Sequence, residues 1–208
     1  MKNIFIALLM LLSIAGFAQT FEGEIVYANK YKSKSMMVSD DQITSMMGAK
    51  QSYFMKGAEY KSVMNGKLFE WQMYVSKDNK LYSKMGSSDK IYWNDASKND
   101  DEILKTEVNK EVTTILGYKC DEVVLTCKSG VQKYYFNSKL GVDAKLFINH
   151  KYGNWYAYLQ KANAVPLKII IDTAELTMES VATEIKPGKL DDKMFTLAPD
   201  AKTEKSPY

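Results

Sequence analysis

The stretch Thr113 to Phe136, TTILGYKCDEVVLTCKSGVQKYYF, constrains the fold more than any other. A turn at Leu116-Gly117 leads into an alternating strand from Tyr118 to Cys127. Lys128-Ser129-Gly130 then supplies a reversal, and Val131 to Phe136 returns as a second strand. An isolated hairpin is at best marginal in water, so this one needs neighbours. Strand-like segments lie on both sides of it in sequence. The hairpin is therefore expected at the centre of one curved antiparallel sheet.

The flanking segments extend that picture. Phe21 to Lys32 alternates, with Phe21, Gly23, Ile25, Tyr27 and Tyr31 on one face. Ser39-Asp40-Asp41-Gln42 has the form of a capping box, Ser at the cap and Gln three later. A short helix should run from it to Met47, with Ile43, Met46 and Met47 turned to the sheet. A meander follows: Gln51 to Lys56, Glu59 to Met64, Lys67 to Val75, Lys80 to Met85 and Lys90 to Asn94. Asn65-Gly66 is its best turn signal, because a tight hairpin needs positive φ. In the third of these strands Phe69, Trp71, Met73 and Val75 form one apolar row. Residues 95–102 are polar and read as a loop, and Ile103 to Val112 reads as another strand. Beyond the hairpin, Asp143 to His150 reads as a helix. Asn154 to Lys161 is a second short helix or an aromatic loop. Leu167 to Asp172 and Leu176 to Lys186 are strands. Lys189 to Phe195 is a turn that tucks Met194 and Phe195 onto the sheet. The fold class expected is mainly β with short helices. Its 208 residues suit one domain, at residues 19–200, followed by a charged tail at 201–208.

The first eighteen residues read as a cleaved signal peptide. Lys2 gives a positive start, Ile4 to Leu12 is apolar, and Gly16-Phe17-Ala18 offers small residues at both recognition positions. No Cys follows for acylation. The mature chain is expected to begin at Gln19 and to be soluble in the periplasm or outside the cell. It would carry 27 lysines against 25 acids, a net charge of +2. Every basic residue is Lys, so the planar guanidinium fork used to read phosphates and guanine is missing. The lysines alternate with acids and form no basic block. Nucleic-acid binding is therefore not expected.

Few residues could carry chemistry. His150 is the only histidine, and no Ser or Cys context marks a nucleophile beside it. Cys120 and Cys127 are seven apart on one predicted strand. That places them ~23 Å apart on opposite faces, too far for a disulfide. One His and two such cysteines make a poor zinc site. Asp40-Asp41, Asp100-Asp101-Glu102 and Asp191-Asp192 are carboxylate clusters. Their places, at a helix start, in a loop and in a terminal turn, suit capping and solvation better than catalysis. Met36-Met37 and Met46-Met47 admit three uses: a thioether copper(I) site, an adaptable apolar pocket, or ordinary core. Tyr152, Trp155, Tyr156 and Tyr158 admit two: a sugar-stacking platform, or a plug whose rings face the sheet.

The segments FEGEIVY (21–27), ILGYKC (115–120), VPLKIII (165–171) and KLDDKMFTLAP (189–199) together resemble a secreted domain-of-unknown-function family of Bacteroidota. More distantly the chain is similar to the LolA/LolB-like lipoprotein-carrier superfamily. That resemblance implies an open β half-barrel with short helices plugging its concave face, and a cavity for acyl chains. The sequence as a whole carries three expectations of function. The first is a non-enzymatic extracytoplasmic binding protein for a lipid or other amphiphile, needing no cofactor or metal. Its proposed lining is Ile25, Tyr27, Met46, Met47, Phe69, Trp71, Met73 and Trp155. The second is a cell-envelope protein-interaction module with a self-filled cavity. The third is a carboxylate-based hydrolase.

Overall fold

The computed structural model describes residues 20–207. The expected signal peptide lies outside the described residues. Twelve strands form one sheet, in the order β12-β6-β5-β4-β3-β2-β1-β11-β10-β9-β8-β7. β1 (Gly23–Ser33) is followed by helix α1 (Asp40–Met47). The first meander is β2 (Lys50–Lys56), β3 (Glu59–Met64), β4 (Phe69–Val75), β5 (Lys80–Met85) and β6 (Ile91–Asp95). The second is β7 (Ile103–Ile115), β8 (Tyr118–Cys127), β9 (Gly130–Gly141), β10 (Ala164–Thr173) and β11 (Leu176–Pro187), with helix α2 (Trp155–Ala162) inserted before β10. β12 (Thr203–Lys205) is the last element described. Within the sheet β1 sits between the two meanders, paired with β2 on one side and β11 on the other. No described helix is long and apolar enough to cross a membrane.

Connectivity makes the sheet curve. β6 and β7 are ten strand spacings apart in the sheet order, which would be ~48 Å if the sheet were flat. Only residues 96–102 join them, and that length of chain spans at most ~28 Å. The two halves must therefore bend toward each other. The joining segment is held where it crosses: Ala96 is fully buried, and its carbonyl accepts from the Lys151 and Tyr152 amides at 2.7 and 3.0 Å.

The bent sheet has two apolar faces. On the first, Ile25, Tyr27, Tyr53, Tyr74, Val123 and Tyr134 pack against Phe147, Tyr158 and Leu159. Phe147 lies on a 3-10 turn (Ala144–Phe147), shorter than the helix expected there. Tyr158 and Leu159 lie on α2 and are fully buried. On the second face, Met73, Val75 and Tyr82 pack with Phe54, Trp71 and Trp93 under Phe195 and Met194, as the expected C-terminal tuck requires.

Several local expectations change. The capping box of α1 is present, with Ser39 Oγ accepting from the Gln42 amide and Gln42 Oε1 accepting from the Ser39 amide. The helix is only two turns long and touches β1, so Ile43 alone is buried and Met46 is 46% exposed. Asn65-Gly66 is not a two-residue positive-φ turn, because β3 and β4 are separated by residues 65–68. Gly66 is needed for close approach instead: a Cβ there would lie 2.4 Å from the Met46 carbonyl oxygen. Cys120 and Cys127 are both free thiols, yet they reach the same core cluster and not opposite faces. Strict alternation of burial along β8 is lost between Cys120 and Val123, beside the point where β7 departs from register between Asn109 and Thr113. Part of the expected tail is ordered, since Thr203–Lys205 pairs in parallel with Ile91–Trp93.

Candidate functional site

The residues expected to line one cavity do not meet. Ile25 and Tyr27 are fully packed on the α2 face, and the Tyr27 hydroxyl donates to the Pro166 carbonyl at 2.5 Å. Trp71 and Met73 lie on the opposite face. Met46 and Met47 are at the sheet margin on α1, and Met36 and Met37 are wholly exposed in the loop before it. Trp155 is half-buried and packs edge-on to Tyr53, ring centroids 6.5 Å apart.

Phe69 goes elsewhere for an identifiable reason. Phe69 pairs with Met85 and Trp71 with Lys84, so Glu70 is an extra residue in β4. That bulge breaks the expected Phe69-Trp71-Met73 row and returns Phe69 to the α2 face, alongside Gln72. There it opens a groove of ≈360 Å³ with Gln72, Ser83, Met85, Ser88, Tyr92, Asn94 and Tyr152. The rear wall is a cross-strand ladder, with Gln72 opposite Ser83 and Ser83 opposite Tyr92. Gln72 Nε2 donates to Ser83 Oγ at 3.2 Å. The row continues across β2 and β3, where Gln51 Nε2 donates to Ser62 Oγ at 2.7 Å. Pro207 closes one end, carried there by the pairing of β12 with β6.

A second cavity, of ≈810 Å³, adjoins the groove and shares Asn94 and Tyr152 with it. Asp95, Asp100 and Asp101 line it together with Lys98, Lys128 and Lys205. Several of these groups hold the loop. The Ser97 hydroxyl and amide both donate to Asp95 and keep its carboxyl below the usual range. Asp101 accepts from the Ser129 amide and hydroxyl at 3.0 and 2.7 Å.

Between the groove and α2 the face is filled by stacked rings. Tyr60 lies 5.3 Å from Tyr53 and 5.7 Å from Tyr74, centroid to centroid. His150, 1% exposed, closes the stack with its ring 4.2 Å from that of Tyr74. Burial pushes the imidazole down to about 3, so it is neutral at ordinary pH. Burial, with the Glu59 carboxylate nearby, pushes Tyr74 up to about 12. These are the properties of a packed core histidine, not of a poised base. The other carboxylate clusters are also structurally engaged. Asp40 accepts from the Ser33 amide and pairs with Lys32, Asp191 caps a 3-10 turn, and Asp192 pairs with Lys56 at 2.6 Å.

Sequence reasoning missed the groove. Gln72, Ser83 and Asn94 are ordinary polar strand residues, and the bulge that turns Phe69 toward them has no turn residue to announce it.

No family model matches the chain, and no curated relative matches it. Among solved structures the chain is similar to PNGF-II at 13% identity and a TM-score of 0.49. That match covers 90% of this chain and 32% of that one, so the chain spans about a third of its length. It is also similar to a LolA superfamily protein from Nitrosomonas europaea at 10% identity and a TM-score of 0.39. There the match covers 86% of this chain and 91% of that one.

Proposed function

We propose that the protein is a non-enzymatic, extracytoplasmic binding protein for an amphiphile. In this reading the bent sheet is an open half-barrel. The segment 144–162 plugs the middle of its concave side, and the end at β4 to β6 stays open to ligand. The supporting observation is the make-up of that groove. Phe69, Met85 and Pro207 offer apolar surface, while Gln72, Ser83 and Asn94 offer amide and hydroxyl groups. Ligand sites are typically apolar clefts with a few placed polar groups, of roughly 300–1,000 Å³. A molecule with an acyl or aromatic body and a polar end matches such a lining.

The filled middle of the same face favours a second reading, an envelope interaction module with no small ligand. Titration with a dansyl-labelled fatty acid, read by fluorescence and by native mass spectrometry, separates the two. The amphiphile reading expects saturable binding of one probe. Ser88→Trp, at the groove rim, should abolish that binding while leaving the circular dichroism unchanged. No binding by the wild type, or undiminished binding by Ser88→Trp, overturns it.

A further inference from the structure

The two edges of the sheet differ. One is finished by β12, a three-residue strand in parallel with β6. The other is β7, thirteen residues long and, among the described residues, paired with β8 alone. Most of β7 is exposed, including Leu104 at 60% and Val108 at 43%. A long, partly apolar free edge is a template for another strand.

The local geometry limits what can pair there. β7 departs from register between Ile103 and Lys105, and again between Asn109 and Thr113. Glu111, inside the second bulge, has φ of 50°. The straight ladder is therefore Lys105 to Asn109. Within it Thr106 and Val108 oppose Leu125 and Val123 and share their face, the α2 face. Lys105 and Glu107 oppose Thr126 and Val124 and point to the other face.

We propose that β7 pairs antiparallel with β7 of a second copy of this chain, about a two-fold axis at Thr106. Opposed residues of an antiparallel pair lie on the same face. A symmetric pairing that keeps the faces continuous must therefore centre on a residue and not between two. Centring on Lys105 sets that lysine against itself, and centring on Glu107 does the same for the glutamate. Centring on Val108 draws the second bulge into the ladder. Within the straight ladder, the Thr106 register alone sets Lys105 opposite Glu107 twice, so that the ion pair these two already make at 3.0 Å within one chain is shared across the axis, and it places Thr106 against its own copy. One self-complementary patch serves both partners, as a closed dimer requires. The inference is independent of whether the groove binds an amphiphile.

The test is the mass of the mature chain by light scattering, with charge exchange across the proposed axis. Wild type is expected to be a dimer. Lys105→Glu alone and Glu107→Lys alone each replace two attractions with two repulsions and should raise the dissociation constant roughly tenfold or more. The double exchange restores opposite charges and should restore the dimer, which excludes loss of folding as the cause. Thr106→Cys should form an intermolecular disulfide under mild oxidation. A monomeric wild type, a dimer indifferent to the single exchanges, or a double exchange that stays monomeric overturns the proposal.

Discussion

The Tyr60 hydroxyl lies 2.8 Å from His150 Nε2 inside the core, with the two rings stacked at an interplanar angle of 16°. One residue is on β3 and the other lies just before α2, so the contact joins the first meander to the segment that covers it. It also ties stability to pH. The folded ring takes up a proton only near pH 3, whereas an unfolded histidine does so near 6.5. Between those values the unfolded chain holds more protons, so stability rises with pH across this window and is lost as pH falls through it. The loss should be on the order of 3 kcal/mol by about pH 4. Denaturant unfolding at several pH values measures it. His150→Phe should remove that histidine contribution below about pH 6.5, whatever it does to stability at neutral pH.

Tyr27 is a tie and not a cavity wall. Its buried hydroxyl donates to the Pro166 carbonyl and so links β1 to β10 across β11. Tyr27→Phe leaves that carbonyl without its donor and should cost about 1–2 kcal/mol. Tyr53 is equally enclosed, and its hydroxyl has no partner among the described residues. Tyr53→Phe should be close to neutral. Chemical denaturation of the two variants side by side measures the difference.

Periodicity made most of the strands legible. The spans of β3, β5 and β8 coincide with the alternation in sequence, and the Ser39 box marked α1 correctly. Alternation assumes one residue per step, however, and it failed wherever a bulge inserted another. Glu70 split the row from Phe69 to Met73, and both thiols reach one core although their spacing of seven predicts opposite faces. Strand order was not legible: the hairpin expected at the centre, β8 and β9, lies beside the β7 edge and β1 takes the middle, because nothing in the local pattern says that the segment after β6 crosses to the far edge. The groove depends on both of these non-local facts, which is why its residues were not singled out.

Gly130 closes the hairpin that organises the second meander. Its φ is 147°, and a Cβ there would lie 2.0 Å from the Asp172 carbonyl oxygen of β10. That oxygen belongs to the backbone of a neighbouring strand, so neither side can give way cheaply. Gly130→Ala should cost roughly 2–4 kcal/mol and lower the midpoint of thermal unfolding. Gly117 provides the control. Its φ is also positive, but nothing lies within 4 Å of its would-be Cβ, so Gly117→Ala should cost clearly less.

The two cysteines provide the remaining test, because the export proposed above would expose a thiol pair within reach to oxidation. Both are buried on β8, and Cys127 Sγ accepts from Asn154 Nδ2 at 3.4 Å. Burial pushes the Cys127 thiol up to about 11 and raises Cys120 as well, so little thiolate forms at neutral pH. The thiolate is the reactive form, and neither sulfur reaches solvent without local opening. The folded protein should therefore react slowly with a disulfide reagent at about pH 8, and release two equivalents promptly in denaturant. A protein that shows no thiol even when unfolded would carry a disulfide between the two. Such a bond needs their Cα atoms within about 7 Å, which β8 as a continuous strand does not permit.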